Sequence, residues 1–415
     1  MTSVTLVGVS ENARTTVLQS KLWERGAIIN TFIETIPKSE TIYLYLPFNK
    51  KILDIIGRYI NRGYIILTTL NECMEIYEIS EKYEMLHLKQ LCREDMIQKM
   101  ELKNVCSIYQ FASCRKDSLI ELRCWEKFDS PGGEIFKCSD FLRCHDFIID
   151  RFVNREIYEN LSEFTLFRGV YNWVKAKVSR TIPLETDRII INQACRKTME
   201  KFLLKIRFLT MDEDELKSKV FRMDLLTQRE KDSINSYISG ISGLENFPDT
   251  ISQCTDKRDA TRYEYLFEYL HKHKFYVKKE FTMTFETRFE CEILVKAICF
   301  VTKIHLPIKH SNEGGISLFV SGCVDYESNR IPDQELVCDR DGKACLKEPV
   351  LLFKNSKCRL LIRIPDEDIR DNLFKISSKA NYFFFHDKMN DYLFSRKCLH
   401  AERTDRLYFN VSLYF

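Results

Sequence analysis

Cysteine and histidine carry the chemistry that depends most on spacing, and the chain has sixteen cysteines and eight histidines in 415 residues. A zinc knuckle needs two thiolates at C-x2-4-C spacing, so that one tight turn aims both at the same ion. Cys138/Cys144 and Cys338/Cys345 are too far apart for that, and no metal centre is expected. Cys398-Leu399-His400 sets a thiol beside an imidazole, but nucleophile and base are paired by a fold rather than by adjacency. The sequence has no phosphate-binding glycine loop, no G-x-S-x-G elbow and no H-E-x-x-H helix. The expectation is a non-catalytic protein without a cofactor. Cys92, Cys106 and Cys124 fall on apolar positions of helical patterns, where reduced thiols act as small core hydrophobes.

Charge supplies no further site. His271-Lys272-His273-Lys274, followed by Tyr276, Lys278 and Lys279, is a basic and aromatic cluster. The chain as a whole has 63 basic and 60 acidic residues, a net charge of +3, too balanced for the field that draws nucleic acid or an anionic membrane. The cluster therefore reads as a solvated strand edge whose lysines discourage pairing with another sheet. No run of about twenty apolar residues would span a bilayer. The start, MTSVTLVGVSENARTT, lacks the basic flank and long apolar core of a secretory signal. A cytoplasmic protein is expected, with protein partners and neither nucleic acid nor membrane among them.

The elements that would position these residues change character along the chain. Val4–Val9 and Thr41–Leu46 read as short strands, with a helix near 26–34 between them. From Lys51 the apolar residues Ile52, Ile55, Ile56, Tyr59 and Ile60 keep helical spacing as far as Gly63, a C-cap. Cys73, Ile76, Tyr77 and Ser80 share one helical face and Leu88, Leu91 and Cys92 another. Two more helices follow within 103–127, broken at Ser130-Pro131-Gly132-Gly133. Ser162 caps a helix with Phe167, Val170, Trp173 and Val174 on one stripe, Asp212 opens a helix with carboxylates in its first turn, and Thr227-Gln228-Arg229-Glu230 is a capping box. Residues 241–257, rich in Gly, Ser, Asp and Thr, read as a linker, and beyond them β-rich segments at short spacing suggest a sandwich.

Several of these stretches resemble known families. "YINRG" at Tyr59–Gly63 and "EKYEMLHLKQLC" at Glu81–Cys92 resemble a BTB/POZ domain over residues 1–100. The "F..V..WV" stripe and the run from Leu203 through Glu230 resemble the BACK helical domain, over 101–240. "LKEPVLLFKNSKCRLLIRI" and the terminal "LYFNVSLYF" resemble a PHR β-sandwich, over 258–415. The resemblance implies a multidomain α+β protein: an α/β BTB-like domain, an all-α BACK-like domain and a C-terminal antiparallel sandwich. It further implies a substrate adaptor that recruits proteins to a cullin-3 RING ubiquitin ligase, the alternative being a BTB-BACK scaffold without cullin binding. Partners would be cullin-3, a substrate protein, and a second copy through the BTB-like domain. The aspartate and histidine with which the family opens stand here as Ser3 and Arg14. The family's apolar-x-Glu contact with cullin falls on Ile36-Pro37-Lys38, a lysine replacing the glutamate. The cullin-facing residues that the resemblance implies are Ile36, Lys38, Tyr83 and Met85.

Overall fold

The computed structural model describes residues 3–9, 13–26, 29, 42–129, 131–158, 160–183, 186–259, 266–269, 274–279, 285–306, 315–325, 329–365, 382–383, 394–395 and 410–414. The chain is α+β and divides into two compact units, Met1–Arg115 and Lys116–Phe415.

In the first unit β1 (Ser3–Val7) lies between β2 (Arg14–Leu18), antiparallel to it, and β3 (Ile42–Tyr45), parallel to it. Alternation along the strands buries Val4, Leu6, Ile42 and Leu44 and leaves Tyr43 and Tyr45 exposed. The sequence showed β1 and β3 but not β2, where only Val17 is buried and the apolar pattern is too sparse to announce a strand. A helix follows β2 directly, α1 (Gln19–Arg25), ending at Gly26. The helix expected near 26–34 falls almost wholly outside the described residues.

Next comes α2 (Lys50–Arg62), capped by the Asn49 side chain and closed by Gly63, whose φ of 79° lets its N–H reach the Tyr59 carbonyl. The Asn61 amide on α2 accepts from the Leu18 N–H and donates to the Thr16 carbonyl, fastening the helix to the end of β2. The unit closes with α3 (Leu70–Lys82), α4 (Leu86–Gln98) and α5 (Val105–Arg115).

The second unit begins with helices α6 (Ser118–Phe128), α7 (Ser139–Arg143), α8 (Asp146–Asn154), α9 (Glu163–Thr181), α10 (Arg188–Leu203) and α11 (Gln228–Ile238), with a 3-10 turn at Pro131–Lys137. Ser162 caps α9, and the stripe of Phe167, Val170, Trp173 and Val174 is buried as its spacing predicts. The Trp173 indole N–H donates to the Cys144 carbonyl at 3.0 Å and its ring meets the edge of Phe202. Both halves of the Thr227/Glu230 capping box are made. Asp212 behaves differently: it precedes one helical turn, Glu213–Glu215, that runs into a π segment, and its side chain makes no cap bond.

The stretch 241–257 is exposed at Ile241–Gly243 and packed at its far end. Ile251 and Ser252 are buried, with the Ser252 N–H on the Leu203 carbonyl. Just beyond, the buried Arg258 guanidinium bonds Glu163 and the carbonyls of Val153 and Lys205.

Eleven strands follow among the described residues: β4 (Phe267–Tyr269), β5 (Lys274–Lys279), β6 (Phe285–Val295), β7 (Cys299–His305), β8 (Ile316–Val324), β9 (Arg330–Cys338), β10 (Lys343–Leu352), β11 (Lys357–Pro365), β12 (Tyr382–Phe383), β13 (Phe394–Ser395) and β14 (Asn410–Tyr414). One antiparallel sheet runs β4-β6-β11-β8-β9, with β5 also on β6, a second runs β10-β7-β14, and β12 pairs with β13. The first two sheets share one apolar core that includes Ile293, Val301, Leu318, Leu360 and Leu413, and Ile157 from the helical part joins it. At the seam between them the Gln334 amide accepts from the Glu348 N–H and donates to its carbonyl, both at 2.8 Å, so a side chain replaces a ladder rung where β10 is irregular. No helix among the described residues is long and apolar enough to cross a membrane.

Candidate protein-interaction surface

The turn between α3 and α4 holds two of the four residues named from the sequence. Its position is set by the start of α3, where Thr69 and Glu72 form a capping box and Glu72 also accepts from the Thr68 hydroxyl and N–H at 2.7 Å. The ammonium of Lys51, then these bonds, hold the Glu72 carboxyl well down, at about 2. This ties α3 to the first turn of α2. The Cys73 thiol, buried, donates to the Cys92 carbonyl and packs α3 on α4; the neighbouring Cys92 side chain first and burial second push its pKa far above the ordinary thiol range. Cys73 is a packing residue, not a nucleophile.

At the end of α3 the chain must reverse within a few residues. Glu84 does so by taking the left-handed conformation, φ 56°, at a cost of about 1–2 kcal/mol for a residue with a side chain. The Met85 N–H then reaches back to the Ser80 carbonyl and the Tyr83 N–H to Ile79, which closes the helix end. Both neighbours of Glu84 turn inward. Tyr83 meets the Phe48 ring edge-on at 5.4 Å, and Met85 is 2% exposed. The reversal leaves Glu84, Leu86 and His87 outward, with Leu86 77% exposed.

Tyr83 and Met85 thus lie in the core of the first unit, and Ile36 and Lys38 lie outside the described residues. The outward residue that sequence reasoning passed over is Leu86. Its signal was available: helical spacing sets Leu86 beside Gln90 and Arg93, on the polar face of α4, whereas Leu88, Leu91 and Cys92 form the apolar one. Lys89 steadies the same helix, bonding Glu81 at 2.8 Å with its ammonium over the Tyr77 ring. The turn thus presents one large apolar side chain, Leu86, between the Glu84 carboxylate and the His87 imidazole, whose Nδ1 lies 3.3 Å from the Tyr59 hydroxyl.

The chain matches no model of a known protein family, and no curated protein matches it.

Proposed function

We propose that the chain is a substrate adaptor that recruits proteins to a cullin-3 RING ubiquitin ligase, acting by proximity rather than by chemistry of its own. The first unit would dock the scaffold in the manner of a BTB domain, through the α3–α4 turn. The helices and sheets of the second unit, BACK-like and PHR-like in this reading, would hold the substrate. A substrate lysine then meets the ubiquitin-charged enzyme at high effective concentration, which is all such an adaptor has to supply. The observation that supports this reading most is the order of the first unit. A central strand lies between one antiparallel and one parallel neighbour, and paired helices follow whose connecting turn presents Leu86.

A second reading, an interaction scaffold without cullin binding, is favoured by Lys38 standing where the family has glutamate and by the burial of Tyr83 and Met85. Affinity capture of the tagged full chain from cells, followed by detection of cullin-3, separates the two. The adaptor reading expects cullin-3 with the wild-type chain and its loss with Leu86→Asp. Capture of other partners without cullin-3 would favour the scaffold.

A further inference from the structure

A cleft of about 340 Å³ opens in the second unit between the Pro131–Lys137 turn and α9. It is lined by Gly133, Phe136, Lys137, Thr165, Arg168 and Asn172, and its volume is at the small end of those that take an organic ligand. The sequence builds it in a definite way. Gly132 and Gly133 both take positive φ, which folds the turn back so that the Phe136 ring lies on α9 over Gly169. A Cβ on Gly169 would stand 2.4 Å from that ring, so only glycine allows the approach. Phe136 is buried, meets Phe141 and Phe152 edge-on, and makes a fixed apolar floor.

The lining is more apolar than polar, and its polar and cationic groups come from four side chains. Arg168 is exposed; its guanidinium leans over the Phe164 ring at 5.5 Å and has no carboxylate partner among the described residues. Asn172, one turn further on the same face of α9, is half-buried, and its side-chain amide makes no hydrogen bond among the described residues. Lys137 bonds Glu134 at 2.6 Å, but the two side chains are 65% and 52% exposed, a pair worth little and readily exchanged. Thr165 bonds Ser162 and keeps oxygen lone pairs to spare. Arg168 and Asn172 thus line, from one face of α9, a cleft floored by an aromatic ring, and the guanidinium, resting over Phe164, keeps its N–H donors for a ligand.

From this arrangement we infer that the cleft binds an acidic peptide segment. A glutamate or aspartate carboxylate of the segment engages Arg168 with two bonds, Lys137 flanks it, Asn172 bonds the peptide backbone, and a neighbouring apolar side chain rests on Phe136. Arginine is the side chain suited to this, because its planar fork matches a carboxylate at two points. The inference is independent of cullin docking, since every residue it uses lies in the second unit.

The test is fluorescence anisotropy with the full chain and a fluorescein-labelled peptide carrying glutamates on either side of a phenylalanine. A saturable isotherm is expected, weakening as salt is raised. Arg168→Glu should weaken binding by at least about tenfold, since a charge-assisted two-point contact becomes a like-charge one. Asn172→Ala should weaken it less. Lys197→Glu, an equal change of charge at an exposed position of α10, should leave it unaltered, and the same peptide with glutamine for glutamate should not bind. Absence of a saturable isotherm, equal loss with Lys197→Glu, or no loss with Arg168→Glu would overturn the proposal. Displacement of the peptide by low-millimolar inorganic phosphate would overturn its peptide assignment and make the cleft a site for small oxyanions.

Discussion

Arg155 and Asp129 form a two-point ion pair inside the second unit, at 2.9 and 3.0 Å, with their side chains only 3% and 7% exposed. The guanidinium is sandwiched as well as paired, 4.6 Å from the Trp125 ring and 4.6 Å from that of Tyr158. Asp129 also accepts from the Tyr414 hydroxyl, so the last strand of the chain is fastened to the end of α6. Removing one partner of such a pair leaves the other charge buried alone. Asp129→Ala is expected to destabilise the full chain by roughly 3–5 kcal/mol in urea unfolding, with Asp129→Leu/Arg155→Met recovering much of the loss. Asp129→Ala within about 1 kcal/mol of wild type would show that the pair is hydrated in solution.

Trp173 is 1% exposed and bonded to the Cys144 carbonyl, so it both fills the core of the helical part and satisfies a loop carbonyl. Trp173→Ala is expected to cost about 3–5 kcal/mol. Trp173→Phe should cost less, retaining the packing on Phe202 but not the hydrogen bond. A wild-type melting temperature for Trp173→Ala would mean that the indole is exposed in solution and free to contact a partner.

His305, on the central strand of the β10-β7-β14 sheet, bonds the Ser412 hydroxyl of β14 at 2.7 Å. Burial first, then Lys343 and Lys303, lower its pKa to about 4 against an opposing pull from Asp339. The unfolded chain, with an ordinary histidine near 6.5, therefore binds the proton more readily than the folded one. The contribution of His305 to stability is fully present above about pH 6.5 and falls away as pH drops toward 4, by up to about 3 kcal/mol. His305→Gln should flatten the stability profile over that window. An unchanged slope would show that His305 titrates normally in the folded chain.

Ile241, 79% exposed, and Gly243 lie in an open stretch, while Ile251, Ser252 and Arg258 are held on the helices. Limited proteolysis is expected to cut first within 240–246, where the backbone is accessible. The fragments should stay together on gel filtration, because the packed end of the segment lies beyond the cut. Equal early cutting within Phe164–Phe208, or separation of the nicked halves, would contradict this packing.

What was legible in the sequence was what neighbouring residues decide. Gly63, the Thr227–Glu230 box and the Phe167–Trp173 stripe each depend on residues within a turn or two. Strand β9 is not legible locally, because Pro332 and Asp333 interrupt its alternation, although the buried Ile331, Gln334, Leu336 and Cys338 hold it in the sheet. The hold on 250–258 could not be read locally, since Arg258 bonds Glu163 from 95 residues away. At the α3–α4 turn, the apolar types of Tyr83, Met85 and Leu86 look alike in sequence. One left-handed residue, Glu84, decides which of them face outward.

The adaptor reading rests on binding, and binding can be measured with purified components. Biolayer interferometry of the full chain against the N-terminal region of cullin-3 is the most direct test. The expected result is a complex at micromolar concentrations, lost with Leu86→Asp at an unchanged melting temperature, because a small interface draws most of its affinity from a few desolvated side chains. Lys38→Glu should tighten it by about 1 kcal/mol by restoring the charge usual at that position. No binding by the wild-type chain, and none gained with Lys38→Glu, would contradict the adaptor reading in favour of the scaffold.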